Sequence, residues 1–75
     1  MLPEQCRAAR GWLDWSQQNL ATRAKVSLST VRDFEKRRRT PIPNNLDAMR
    51  RALEAAGIEF TDGDEPAVRL KKKRR

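Results

Sequence analysis

On a helix turning by about 100° per residue, Ser29, Arg32, Asp33 and Lys36 fall on one face together with Leu28. Thr30, Val31 and Phe34 fall on the other. A hydroxyl, a guanidinium, a carboxylate and an ammonium on one ridge match the edges of base pairs in a major groove. Arginine reaches guanine O6 and N7 in a bidentate pair, aspartate accepts from cytosine N4, serine bonds several bases, and leucine covers a thymine methyl. Phosphate groups have candidate partners close by. Lys36, Arg37, Arg38 and Arg39 are consecutive, and a basic run at the end of such a ridge suits the flanking backbone. Competing chemistry is thin. The chain has no histidine and no tyrosine, which removes the commonest general base and the commonest nitrogen ligand for metals. One cysteine, Cys6, allows neither an internal disulfide nor a cysteine-cluster metal site. No residue set supports an enzyme, and no metal, cofactor or small-molecule ligand is expected.

Short helices must position that ridge. Pro3 at a first helical position, with Cys6, Ala9 and Leu13 at helical spacing, predicts a helix from Pro3 to about Leu13. Ser16 is a suitable N-cap for a helix over Gln17–Ala24, and Ser27 for one from Leu28 to about Arg37. Asn44, with Asp47 three residues later, reads as the N-cap of a fourth helix; Pro41 and Pro43 keep the preceding linker extended. Leu46, Met49, Ala52, Leu53 and Ala56 form its apolar stripe, and Gly57 offers a left-handed stop. After Gly57 the period changes to alternation in Ile58–Thr61 and again in Ala67–Leu70. Asp62-Gly63 between them signals a hairpin. The fold class is therefore mainly α: four helices with a short C-terminal β-hairpin.

The stretch Gln17–Glu35 resembles the lambda-repressor/Cro-like (Xre-type) helix-turn-helix regulators, whose usual pattern is Q-x-x-L-A-x-x-x-G-V-S-x-x-x-[IV]-x-x-[FIL]-E. Gln17, Leu20, Ala21, Val26, Ser27, Val31, Phe34 and Glu35 match it. Lys25 departs from it, standing where the family has a turn glycine that commonly needs a positive φ. The resemblance implies a four-helix lambda-repressor-like DNA-binding domain whose third helix reads bases from its first turns through Leu28, Ser29, Arg32 and Asp33, with Ser27 close to the DNA backbone. It further implies that Gln17, at the start of the second helix, bonds a phosphate, and that Glu35 pairs with Arg10 late in the first helix. Around them, Lys36, Arg37, Arg38, Arg39, Asn44 and Asn45 are candidate phosphate contacts.

Charge is unevenly spread. Residues 1–40 carry nine Lys/Arg against four acids, residues 41–70 three against six, and Lys71–Arg75 are all basic, within a net charge of +7. A basic side opposite an acidic one suits a phosphate-binding face. Seventy-five residues make one marginal core, so assembly would help. The expected organisation is a helix-turn-helix domain over 1–57, a hairpin and dimerisation segment over 58–70, and a basic disordered tail over 71–75. Ile58, Phe60, Val68 and Leu70 are the expected anchors of a homodimer. No apolar run is long enough to span a membrane, and a cytoplasmic, nucleoid-associated protein bound to double-stranded DNA is expected. The reading is a dimeric transcriptional regulator, a repressor or operon controller. The alternative is an antitoxin or antiactivator module that uses the same fold to bind a protein partner.

Overall fold

A computed structural model describes residues 1–71, so most of the basic tail, residues 72–75, lies outside the described residues. The elements are α1 (Pro3–Leu13), α2 (Gln17–Ala24), α3 (Leu28–Glu35), α4 (Pro43–Ala55), β1 (Ile58–Thr61) and β2 (Ala67–Leu70). Each helix starts for a local reason. The Ser16 hydroxyl accepts from the Asn19 N–H at 2.9 Å, and the Ser27 hydroxyl accepts from Thr30 at 3.1 Å, satisfying donors that have no partner within their own helix. Helix α4 corrects one expectation. Its cap is Ile42, and Asn44 lies inside the first turn. Proline lacks an N–H and has a preset φ, so Pro43 takes the first helical position, and the residue before it is held extended.

The four helices end alike. Asp14, Lys25, Arg37 and Gly57 all have positive φ, at 58°, 60°, 61° and 110°. The first three are followed by a bond reaching back five residues: Trp15 N–H to Arg10 at 2.9 Å, Val26 to Ala21 at 3.0 Å and Arg38 to Asp33 at 2.8 Å. This is the Schellman closure, which satisfies the last carbonyls and reverses the chain. In those three the left-handed residue has a Cβ. Helix α3 accordingly stops at Glu35, two residues short of the expected Arg37, because Arg37 itself makes the reversal.

The core is small and shared. Cys6 and Ala9 of α1, Leu20, Ala21 and Ala24 of α2, Val31 and Phe34 of α3, Met49 and Leu53 of α4, and Ile58 and Phe60 of β1 form one buried cluster. Four of these eleven are not large: three alanines and the cysteine. Their small volume lets the short helices approach closely, with Trp15, Val26 and Leu46 closing the margins.

The hairpin belongs to this core. Its strands pair antiparallel with Ile58 opposite Leu70 and Phe60 opposite Val68. Ile58, 2% exposed, and Phe60 point into the chain's own core, because the helices leave a gap that the inner face of β1 fills. Ile58 and Phe60, expected as anchors between copies, are thus taken up inside the single chain, while Val68 and Leu70 are only half-buried. Gln5, buried on α1, donates from Nε2 to the Thr61 and Ala67 carbonyls at 2.9 and 3.1 Å, so one amide ties the first helix to both strands.

Lys25 tests the helix-ending argument. A left-handed lysine carries strain that glycine lacks, whereas glycine loses more chain entropy on folding. With the strain term the larger, Lys25→Gly should stabilise the fold by about 0.5 kcal/mol in urea unfolding. A destabilised variant would show that the lysine side chain supports the turn.

Candidate nucleic-acid interface

The interface is built from its buried side outward. Glu35, the last residue of α3, is 3% exposed. Arg10 donates to it twice, from Nε to Oε2 and from Nη2 to Oε1, both at 2.7 Å. Gln17 Nε2 adds a bond to Oε1 at 3.1 Å, and the Cys6 thiol donates to Oε2 at 3.1 Å. Arg10 also reaches the Trp15 carbonyl with Nη1 at 2.9 Å, and Arg7 Nη1 donates to the Glu35 carbonyl. Three helices therefore meet on one carboxylate, and among the described residues no buried side-chain polar atom lacks a partner.

The electrostatics follow from that geometry. Burial by itself pushes the Glu35 carboxyl up, but the hydrogen bonds from Arg10, Gln17 and Cys6 outweigh it and hold the group below the ordinary carboxylate range. Glu35 in turn raises Arg10 through the hydrogen bond, against the effect of burial. Burial, and then the neighbouring carboxylate, push the Cys6 thiol far up, so it stays a neutral donor.

With its end anchored, α3 turns Val31 and Phe34 inward and exposes Ser29, Arg32 and Lys36, while Leu28 and Asp33 are half-buried. The Ser27 hydroxyl lies 3.1 Å from that of Ser29 and 2.8 Å from that of Thr30, a chain of hydroxyls at the helix start. Arg32, Lys36, Arg38 and Arg39 are exposed and form no ion pair among the described residues. A cleft separates α3 from the α3–α4 loop. Ser29 and Asp33 line one wall, and Arg39, Ile42 and Asn45 the other. Asn44 is exposed at the start of α4. Of the predicted base-facing and phosphate-facing groups, Ser29, Asp33, Arg39 and Asn45 are therefore brought together at this cleft, while two others are exceptions, engaged with carboxylates of the chain itself.

Arg37 is the first exception. Its guanidinium grips the Glu4 carboxylate of α1, Nη2 lying 2.7 and 2.8 Å from the two oxygens and Nε at 3.3 Å. The hydrogen bond from Arg37 holds the Glu4 carboxyl below its ordinary range. Gln17 is the second, since its amide donates inward to Glu35. Periodicity could not reveal the partners Glu4, Gln5, Cys6 and Arg7, because each meets a group more than 25 residues away.

A helix-turn-helix family model matches residues 7–58. The chain belongs to the Xre/lambda-repressor-like helix-turn-helix family. It is thereby a DNA-binding helix-turn-helix regulator, and double-stranded DNA is the ligand that the family supports. The match spans the Arg10–Glu35 pair, the turn and the cleft, and it ends at the first residue of β1, so nearly all of the hairpin lies beyond it. No curated protein matches the chain at a significant level. No helix among the described residues is long and apolar enough to cross a membrane.

Removing Arg10 should leave a buried carboxylate without its cation. Arg10→Ala is expected to destabilise the domain by roughly 3–5 kcal/mol near neutral pH, well above the roughly 0–1 kcal/mol of an exposed pair. The sign of the pH dependence is fixed by Glu35. A depressed folded pKa contributes stability above the ordinary carboxylate value, and that contribution is lost as pH falls through the folded value. The deficit of Arg10→Ala should therefore shrink on acidification, as followed by urea unfolding across pH. A deficit that stays constant from neutral to acid pH would show that packing, not charge, is what Arg10 supplies.

Proposed function

We propose that this chain regulates transcription as a homodimer bound to a two-half-site operator, with α3 in the major groove of each half-site. The observation that carries the reading is the exposed α3 ridge whose cations Arg32 and Lys36, with Arg38 and Arg39 beyond, have no acidic partner among the described residues. Unpaired cations around a hydroxyl-lined helix start leave donors and positive charge free for a polyanion. Arg32 is assigned to guanine O6 and N7, Asp33 to cytosine N4, Ser29 to an adjoining base edge and Leu28 to a thymine methyl. Lys36, Arg38, Arg39, Asn44 and Asn45 hold phosphates, with Ser27 and the start of α2 at Gln17 on the opposite strand. Arg37 joins them by exchanging its Glu4 partner for a phosphate.

One small domain reads few base pairs, and two copies about one helical turn apart, roughly 34–36 Å, provide the needed length. Ile58 and Phe60 are already within the monomer's core, so the interface of this reading uses the half-buried Val68 and Leu70 and the outer edge of the hairpin. The role is that of a repressor or a controller of its own operon, working in the cytoplasm on the nucleoid.

Selection of bound sequences from random duplex DNA gives motif, symmetry and spacing together, and two variants then separate the roles. Arg32→Ala should lose about 1–3 kcal/mol and relax preference at one base pair. Arg38→Ala should weaken every sequence alike and reduce the salt slope by about one. Loss in both variants with base preference intact would remove Arg32 from base reading. A selected motif without two-fold symmetry would remove the dimer.

A further inference from the structure

Ile42 is 62% exposed, more than any other large hydrophobic side chain among the described residues. It is also held in place. Pro41 before it is buried, Pro43 after it opens α4, and its backbone is extended at φ −61° and ψ 153°. Its carbonyl accepts from the Asn45 and Leu46 N–H groups, both at 3.0 Å. A β-branched side chain between two prolines has little freedom left to lose on binding. This stiff apolar group shares its cleft with Ser29 and Asp33 of α3 and with Arg39 and Asn45.

A nucleic-acid strand alternates anionic phosphates with the apolar edges of its sugars. A wall that carries at Arg39 a guanidinium with no ion pair among the described residues, and a rigid isoleucine three residues on, has the same alternation. We infer that Ile42 is the apolar contact of the DNA interface, packing against the deoxyribose edge of the strand whose phosphate Arg39 holds. The inference rests on the docking of α3 proposed above. It adds a term that cations cannot supply, because an apolar contact releases no counterions and carries no salt dependence. It also explains why a large hydrophobe stands in solvent beside a basic run.

The experiment titrates the full chain and its Ile42→Ala and Ile42→Val variants against the selected duplex over a series of salt concentrations. Ile42→Ala should bind on the order of tenfold more weakly, as expected for loss of a mostly buried aliphatic contact, while the slope of log affinity against log salt stays that of the parent. Ile42→Val should fall between. Thermal unfolding of both variants should match the parent, since the caps use only the backbone of residue 42. Arg39→Ala, measured alongside, should flatten the slope. Unchanged affinity of Ile42→Ala with a flattened slope in Arg39→Ala overturns the inference alone. Unchanged affinity in both variants overturns the docking as well. A lower sedimenting mass of Ile42→Ala without DNA would assign Ile42 to contact between copies and would equally overturn it.

Discussion

A single buried carboxylate organises this domain. Glu35 ends α3, and four side-chain hydrogen bonds reach it from Arg10, Gln17 and Cys6 on α1 and α2. A buried charge is costly unless it is fully partnered, so the arrangement tolerates few alternatives. If α3 rotated or slid by one residue, the carboxylate would lose its donors, and Val31 and Phe34 would leave the core. The orientation of the α3 outer face is thus set from its inner end. The interaction that holds the three helices together also decides which side chains face solvent around the cleft.

The rest of the chain is consistent with a small core under tight geometry. Short helices leave few residues for apolar packing, and each must reverse sharply to bring the next into contact. Left-handed residues at Asp14, Lys25 and Arg37 make those reversals without glycine, each closed by a bond back to the preceding helix. At Arg37 the reversal places a side chain beside Glu4, joining the exit of α3 to the first turn of α1. The hairpin then supplies apolar area that four small helices lack, through Ile58 and Phe60, and Gln5 fastens it.

Much of this was legible in the sequence where the cause is local. The Ser16 and Ser27 caps, the proline start of α1, the strand bounds and the stop at Gly57 depend on neighbours within a few residues. The composition of the α3 face followed from the helical period alone. Two boundaries moved for equally local reasons: Pro43 displaced Asn44 from the cap of α4, and Arg37 took the left-handed turn in place of a last helical residue. What sequence could not settle was which surface meets which. Alternation in β1 required one buried face, yet it could not say whether helices or a second copy would cover it. In the sequence only the family resemblance links Arg10 with Glu35, since nothing in their spacing joins residues 25 apart. The Cys6 and Arg7 contacts to Glu35 and the Glu4–Arg37 pair had no signal at all.

The proposed DNA surface is the face formed by α3 and the α3–α4 loop. Backbone amide shifts of the free chain and of its complex with the selected duplex test that most directly. The largest changes should fall at residues 27–33 and 36–45, with the outer face of β1 and the middle of α1 nearly unmoved. Changes concentrated on the hairpin or on α1 around Trp12, a tryptophan 57% exposed near the end of that helix, with residues 28–33 silent, would overturn it.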